Sequence, residues 1–347
     1  MDHYAPLFVS IEQPYLTDAD REMLRHPRVG GIVIFSKNYT SKSQIGDLIA
    51  EIKAIKTPAL RISVDHEGGR VQRFRSGFTL IPPMHKLGEL YDDNAPGALA
   101  CAQACGYIIG TELGEVGVDF SFTPVLDLDY GASSVIGDRS FHSNADILIS
   151  LADALIKGLA LTGMPAIGKH FPGHGYVSKD SHLELPEDPR TYAQMTQDLR
   201  PFELLHPKLA GLMTAHVRYP NIDPHIASFS PFWLKTVLRD QWGYQGLVFS
   251  DDLRMKALDE IGEMNQRAEM ALYAGCDVIL LCNEPTQTFM TLADQLLARQ
   301  GKLDYSRLVT RTKSDPRIYA AALETLSRLN FKAHQPAANG VDPVSQL

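Results

Sequence analysis

Short apolar runs alternate along the chain with longer segments whose apolar residues recur every three or four positions. Most of the short runs are continuously apolar, which is typical of parallel strands that are covered on both faces. The predicted strands are residues 6–10, 30–35, 61–65, 119–126, 166–171, 212–217, 247–250 and 277–282. The pattern therefore predicts eight parallel β-strands.

The segments between these strands have helical periodicity. Thr17 followed by Asp20 is the pattern of a helix N-cap, and residues 41–56 place Ile45 and Leu48 on one apolar stripe. The predicted helices are residues 17–26, 41–56, 99–116, 145–162, 231–242, 261–274 and 286–299. Repeated strand–helix alternation predicts an α/β protein built as a (β/α)8 barrel of the TIM type. An open doubly wound sheet is the alternative, although no Gly-x-Gly-x-x-Gly segment follows a predicted strand.

The composition fits one globular domain. The chain has 347 residues, of which 44% are hydrophobic and 21% are charged, and one α/β barrel can span that length. We assign residues 1–332 to a catalytic barrel. Residues 333–347, rich in alanine, proline and polar residues, are predicted to form a flexible tail.

The same composition limits the partners. A net charge of -8 without a dense Lys/Arg run argues against a nucleic-acid partner. The N-terminal residues lack the basic and apolar regions of a signal peptide, and no apolar run reaches the roughly 18–20 residues of a membrane span. The four cysteines have neither zinc-site nor redox spacing. We therefore expect a cytoplasmic monomer that acts without a membrane, a metal or a cofactor.

Reactive side chains concentrate in a long connection after the predicted strand 166–171, where barrel enzymes carry catalytic groups. Residues 169–175 read Lys-His-Phe-Pro-Gly-His-Gly, and Asp180 and His182 follow. In an extended segment Asp180 and His182 project to the same side, and a carboxylate beside an imidazole suits general acid/base catalysis. A pair of solvated loop residues is the alternative interpretation.

The same run can also be interpreted as a metal site, because His170, His174 and a nearby aspartate are zinc-ligand types. However, the His-x-His segment of many metal-dependent barrel hydrolases is missing from the first predicted strand. Pro172 and Gly173 also separate the two histidines, so that they are not one helical turn apart. We therefore favour a site without metal.

A second polar segment begins at Asp65, where a predicted strand ends in Asp-His-Glu-Gly-Gly-Arg-Val-Gln-Arg up to Arg73. Carboxylates accept from sugar hydroxyls, and arginines donate to several oxygens, so this segment is suited to a polyhydroxylated ligand. A structural cluster of ion pairs is the alternative. Arg139, in another polar connection, is predicted either to hold a ligand or to pair with Asp138.

A third segment places Asp251 and Asp252 directly after the apolar run 247–250. Neighbouring strand residues face opposite sides, so one of the two is predicted to be a nucleophile or base and the other a helix cap or supporting group. The alternative is that both cap the following helix. His216, after another apolar run, is predicted to be a satisfied, partly buried histidine.

Taken together, segments 65–73, 169–175, 180–182 and 250–253 resemble glycoside hydrolase family 3, and most closely its single-domain bacterial β-N-acetylhexosaminidases. The resemblance covers about residues 5–330 and keeps the family's order of motifs. It implies that Asp251 is the nucleophile, that His182 is the general acid/base, and that Asp180 orients His182. The residues implied to bind N-acetylglucosamine are Asp65, Arg73, Arg139, Lys169 and His170.

The resemblance further implies a retaining exo-β-N-acetylglucosaminidase that forms a covalent glycosyl-enzyme. The implied substrate is a muropeptide with N-acetylglucosamine on 1,6-anhydro-N-acetylmuramic acid, cleaved during cell-wall recycling in the cytoplasm. Under this interpretation His174 has a structural role. The alternatives are a metal-dependent, amidohydrolase-like barrel, a non-catalytic sugar-binding barrel, and a substrate-assisted hydrolase that uses Asp251 and Asp252 as paired acids.

Overall fold

The computed structural model describes residues 5–177, 185–297, 303–310 and 314–329. Within them, eight strands pair in parallel in the order β4–β3–β2–β1–β8–β7–β6–β5. The strands are β1 (Leu7–Val9), β2 (Val29–Ile34), β3 (Arg61–Val64), β4 (Phe120–Ser121), β5 (Ile167–Phe171), β6 (Gly211–Thr214), β7 (Leu247–Asp252) and β8 (Val278–Leu280). Parallel bridges from Ser121 to Ala166 and from Val125 to Lys169 join the two outer strands. The predicted TIM-type barrel is thereby confirmed.

Helices follow the strands around the outside. They are α1 (Asp18–Arg25), α2 (Lys42–Ala54), α3 (Met84–Glu115), α4 (Ala145–Thr162), α5 (Thr196–Leu205), α6 (Phe232–Gln241), α7 (Met264–Ala274), α8 (Thr286–Gln295) and α9 (Pro316–Ser327), of which α6 is wound as a π-helix. The predicted cap of α1 is present, because the Asp20 N–H donates to Thr17 Oγ1 at 3.1 Å and the Thr17 N–H donates to the Asp20 carboxylate at 2.9 Å. Two antiparallel hairpins, residues 66–72 after β3 and residues 218–226 after β6, lie outside the barrel sheet.

Several boundaries differ from the prediction. The strand predicted over residues 119–126 is only Phe120–Ser121, because Pro124 has no N–H to continue the ladder. Helix α3 begins 15 residues before its predicted start at residue 99, and its backbone is non-helical at Asn94, just before Pro96. The predicted helix 261–274 begins only at Met264.

Aromatic residues fill the inside of the barrel. Phe8 and Phe122 pack against Phe249 with ring centroids 5.9 and 5.6 Å apart, and all three are fully buried. At the N-terminal end of the barrel the Tyr305 hydroxyl donates to the carbonyl of Ala5 at 2.6 Å. Because the interior is filled and this end is covered, we expect a substrate to bind at the opposite end, where the loops after the strands lie.

Two further predictions concern cysteines and membranes. Cys101, Cys105, Cys276 and Cys282 are free and buried, as the spacing predicts. In the described part of the chain no helix has both the length and the apolar character needed to cross a membrane. The predicted flexible tail, residues 333–347, lies outside the described residues.

Candidate active site

A buried network of charges lies where β3 and β5 end. Lys169 Nζ is 2.7 Å from Asp65 Oδ1 and 2.5 Å from Glu67 Oε1. Arg139 donates to both oxygens of Glu67, at 2.9 Å from Nε and 2.8 Å from Nη2. Three segments that are far apart in sequence therefore meet at one end of the barrel, as the positions of Asp65 and Lys169 towards the ends of predicted strands indicate.

Asp65 is the member of this network that faces outwards. Its side chain is 19% exposed, against 3% for Lys169 and 2% for Glu67. Arg73 Nη2 is 3.8 Å from Asp65 Oδ2, which is a long ion pair. The carboxylate of Asp65 is therefore held by a lysine and still accessible to hydroxyl donors of a ligand.

Glu67, which the sequence reasoning did not select, is the centre of the network. Burial alone would raise the pKa of Glu67, but the charges and hydrogen bonds of Arg139 and Lys169 hold that pKa well below its ordinary value. Glu67 is therefore ionised and fixes two cations in place. Its signal in the sequence is its position two residues after Asp65, in the same strand-end segment.

The predicted alternative for Arg139, a pair with Asp138, is wrong. Asp138 accepts from Arg70 Nε at 2.9 Å instead. Arg70 also donates to the carbonyl of Val135 at 2.7 Å. Because Arg70 holds the loop before Arg139, the guanidinium of Arg139 is directed to Glu67.

Asp127 organises the two histidines after β5. His170 Nδ1 is 2.6 Å from Asp127 Oδ2, and the backbone N–H of His174 donates to Asp127 Oδ1 at 2.7 Å. A carboxylate beside Nδ1 keeps a hydrogen on that nitrogen, and Nε2 of His170 lies 3.5 Å from Arg139 Nη2. Asp127 was also missed by the sequence reasoning, although it follows a predicted strand just as Asp65 and Asp251 do.

His174 is buried behind this arrangement and is neutral at physiological pH. Burial lowers the pKa of His174 to about 4, and the nearby charge of His170 acts in the same direction. The charge of Asp251 acts on the same imidazole in the opposite direction. His174 is therefore hydrogen-bonded to Asp127 through its backbone N–H and is also within the range of the charge of Asp251. Among the residues that the structure describes, no group of three or more His, Cys, Asp or Glu side chains is arranged to hold a metal ion.

The two acids at the end of β7 have different surroundings. The Asp252 carboxylate accepts from the backbone N–H groups of Arg254 and Cys282 at 3.0 and 3.2 Å, and burial raises the pKa of Asp252 to about 7. Both residues are half-buried, and Asp251 accepts the adjacent N–H of Asp252 at 2.8 Å. Asp252 thus supports the loop, and Asp251 is left as the better candidate for chemistry.

Asp65 and Asp251 lie at the same end of the barrel, because they stand at the carboxyl ends of the parallel strands β3 and β7. Burial raises the pKa of the Cys282 thiol, and the charges of Asp252, Asp65 and Asp251 act in the same direction. His216 supports this end of β7 from the side, with Nδ1 2.7 Å from Ser228 Oγ and Nε2 3.1 Å from the carbonyl oxygen of Asp252. The prediction that His216 is a satisfied histidine is confirmed, although its burial is complete and not partial.

Asp180 and His182, the predicted acid/base pair, lie outside the described residues, which end at Val177 and resume at Leu185. Their roles stay predictions. The described structure does bring together Asp65, Arg73, Arg139, Lys169 and His170, the residues predicted to bind the sugar.

We expect Glu67→Gln to lower the free energy of unfolding by roughly 3–5 kcal/mol, because a buried pair that loses one charge leaves its partners uncompensated. The amide would also turn an NH2 group towards Arg139 or Lys169. Urea denaturation at pH 7 measures the change. The matched control is Glu187→Gln, which breaks a half-exposed pair with Arg218 and should cost less than about 1 kcal/mol. Equal effects of the two substitutions would contradict the central role of Glu67.

The glycosyl hydrolase family 3 N terminal domain matches residues 8–313. A β-hexosaminidase of Nitrosospira multiformis is 51% identical over 291 residues, which are 83% of this chain and 83% of the relative. The crystal structure of NagZ from Neisseria gonorrhoeae in complex with N-trifluoroacetyl-D-glucosamine matches with a TM-score of 0.88 at 41% identity, over 94% of this chain and 98% of that chain. A crystal structure of the same gonococcal protein in complex with zinc ion matches with a TM-score of 0.86 at 40% identity, over the same shares of the two chains.

Proposed function

The chain belongs to glycosyl hydrolase family 3 and is a β-hexosaminidase, and from this we propose a retaining exo-β-N-acetylglucosaminidase that acts on muropeptides. The substrate carries terminal β-linked N-acetylglucosamine on 1,6-anhydro-N-acetylmuramic acid, and the reaction belongs to cytoplasmic cell-wall recycling. The observation that carries the proposal is the half-buried carboxylate of Asp251 at the end of β7, at the same end of the parallel barrel as the network of Asp65, Lys169 and Arg139.

In this proposal the network holds the non-reducing sugar. Asp65 accepts from sugar hydroxyls, while Lys169 donates to Asp65 and to a neighbouring sugar oxygen. Arg139 and His170 bound the same space, fixed by Glu67 and Asp127. The bound N-trifluoroacetyl-D-glucosamine of the gonococcal structure supports an N-acylated glucosamine as the ligand class. A sugar recognised through its terminal hydroxyls is cleaved from the chain end.

The proposed reaction has two displacements. In the first, a carboxylate oxygen of Asp251 attacks the anomeric carbon, the bond to the leaving oxygen breaks, and His182 gives its proton to that oxygen. In the second, neutral His182 takes a proton from water while the water oxygen attacks the anomeric carbon and releases Asp251. Two inversions give net retention of the β-configuration.

An imidazole suits both steps because its ordinary pKa is about 6.5, so that each protonation state is accessible near neutral pH. Asp180, two residues earlier, holds one tautomer of the ring and stabilises its protonated form. The pair therefore replaces the second carboxyl group that most retaining glycosidases use.

The test is hydrolysis of the disaccharide of N-acetylglucosamine and 1,6-anhydro-N-acetylmuramic acid, with and without a stem peptide, followed by proton NMR. We expect β-N-acetylglucosamine as the first product, before mutarotation, and no turnover by an Asp251→Asn preparation purified in parallel. The α-anomer as first product would overturn the double displacement. Cleavage of an aryl N-acetylglucosaminide without cleavage of either muropeptide would overturn the proposed substrate.

A metal-dependent hydrolase is the second candidate, because the gonococcal protein also has a zinc complex. The contacts of His170 and His174 with Asp127 favour a positioning role for that cluster instead. Activity should survive dialysis against EDTA. Inactivation that zinc alone reverses would favour the metal-dependent mechanism.

A further inference from the structure

Arg190 joins residues on both sides of the segment that carries the proposed acid/base. Its guanidinium forms a fork with Asp188, at 3.0 Å from Nε and 2.7 Å from Nη2. Nη1 donates to Asp198 Oδ2 at 2.8 Å and to the Tyr130 hydroxyl at 3.3 Å. The Tyr130 hydroxyl in turn donates to Asp198 at 2.9 Å. One side chain therefore links the connection after β4, the first turn of α5 and residue 188.

Tyr176 contacts Arg190 from the stretch of chain that precedes residues 178–184. The guanidinium carbon of Arg190 lies 3.9 Å from the centroid of the Tyr176 ring, and the ring meets Tyr130 edge-on at 5.5 Å. Tyr176 precedes residues 178–184 in the chain, and Asp188 follows them. Arg190 therefore contacts both described ends of the segment that contains Asp180 and His182.

This cluster is more than a surface ion pair. Asp188 and Asp198 are each only 1% exposed. Burial raises the pKa of Asp198, whereas Arg190 and Tyr130 act to lower it. Two buried carboxylates sharing one cation are costly to rearrange, because either loses its main compensation when the guanidinium moves.

The cluster is also tied to the barrel. The N–H of Asp188 donates to the carbonyl of Arg218 at 2.8 Å, in the hairpin after β6. The Tyr219 hydroxyl donates to the carbonyl of Gly173 at 2.5 Å, two residues after β5. The chain before residues 178–184, at Gly173, and the chain after them, at Asp188, therefore both form hydrogen bonds with the same hairpin. This hairpin follows β6, the strand next to β5.

We propose that Arg190, stacked on Tyr176, is a positioning residue for the proposed acid/base, because it ties together the two described stretches of chain that flank residues 178–184. This inference rests on the proposed function, because it takes His182 as the proton donor. Arg190 acts through the two chain ends and does not need to touch substrate. A displacement of about 1 Å at a reacting group can cost roughly 100-fold in rate, so fixing the ends of a catalytic segment has a large effect.

The test compares aryl β-N-acetylglucosaminides whose phenols range from good to poor leaving groups. For Tyr176→Ala and Arg190→Lys we expect kcat/KM to fall roughly 10–100-fold with the poorest leaving group and less than about threefold with the best, because only poor leaving groups need the proton in the first step. The ratio of the two values does not depend on the fraction of active protein. Tyr176→Ala leaves no buried charge unpaired. It therefore tests the positioning role even if Arg190→Lys does not fold.

Two controls accompany these variants. Tyr176→Phe keeps the ring over Arg190 and should restore the wild-type ratio. Arg218→Gln breaks the half-exposed pair with Glu187 near the same segment and should leave the ratio unchanged. An equal loss with all leaving groups would overturn the inference, since it indicates only a structural role. A rise in KM alone would also overturn it, since it indicates contact of Tyr176 with the aglycone.

His182→Ala, measured in the same assays, distinguishes a failure of the positioning inference from a failure of the proposed function. If His182→Ala depends on the leaving group and the Tyr176 and Arg190 variants do not, the positioning inference fails alone. If His182→Ala shows no such dependence, the proposed function fails.

Discussion

Asp251→Asn is expected to lower kcat/KM for an aryl β-N-acetylglucosaminide by roughly 10⁴–10⁶-fold, the range found when nucleophiles or their partners are removed from hydrolases. An amide cannot form the glycosyl ester, and it carries no negative charge to stabilise a cationic transition state. Initial rates measure the loss. A slowly hydrolysed fluorinated N-acetylglucosaminide should label the wild-type protein at Asp251, as peptide mass spectrometry will show.

Asp252→Asn is the matched control, because it changes the neighbouring acid in the same way. Its amide oxygen can still accept the backbone N–H groups of Arg254 and Cys282, which Asp252 accepts in the structure. We expect activity within about threefold of wild type, since neutral replacement keeps those two hydrogen bonds. The raised pKa of Asp252 makes it the rival acid, so a label on Asp252 would reverse the assignment. Turnover without any covalent label would favour the substrate-assisted mechanism.

The barrel was predictable because its strands are apolar on both faces and regularly spaced. The local sequence did not show where the regular pairing of each strand with its neighbours ends. At Pro124 the ladder loses a donor, and the predicted strand shortens to Phe120–Ser121. Helix α5 was missed because Pro201 lies inside it and two of its buried positions are occupied by Asp198 and Pro201, which interrupt an apolar pattern. Tertiary packing against α4 and β5 stabilises α5 in spite of that weak local signal.

The site was predictable where a reactive side chain directly follows an apolar run. Asp65 and Asp251 were selected by that rule, whereas Lys169 was selected through the segment 169–175 and the family resemblance. The structure places all three at one end of the barrel. Glu67 and Asp127 were missed because their importance depends on partners 72 and 43 residues away, Arg139 and His170. Such pairings follow from strand order, which a single sequence does not encode locally.

Arg190 illustrates the same limit more strongly. In the sequence it stands in Asp188-Pro-Arg190 and resembles an ordinary charged turn. Its role depends on Asp198, Tyr130 and Tyr176, which approach it only in the folded chain. Conversely, sequence spacing alone overstates function: Asp223 and His225 have the same two-residue spacing as the predicted acid/base pair, and their side chains pair at 2.9 Å on an exposed hairpin.

That exposed pair supplies the matched control for the last prediction. We expect His182→Ala to lower kcat/KM roughly 10²–10⁴-fold for aryl glycosides with poor leaving groups, the usual contribution of general acid catalysis, and only slightly for activated ones. His225→Ala removes an imidazole beside an aspartate at the same spacing and should change neither value. The comparison therefore distinguishes a histidine that donates the proton from a surface histidine that only pairs with an aspartate.

The pH profile gives an independent readout of the same assignment. If protonated His182 is the acid, kcat/KM for a poor leaving group falls as pH rises through the ionisation of the imidazole, and His182→Ala removes that fall. Azide should also restore turnover of an activated substrate in His182→Ala, because an anionic nucleophile needs no base to attack the glycosyl-enzyme. A profile in His182→Ala that keeps the wild-type alkaline fall would transfer the acid role to another group, with Asp252 as the first candidate because burial raises its pKa to about 7.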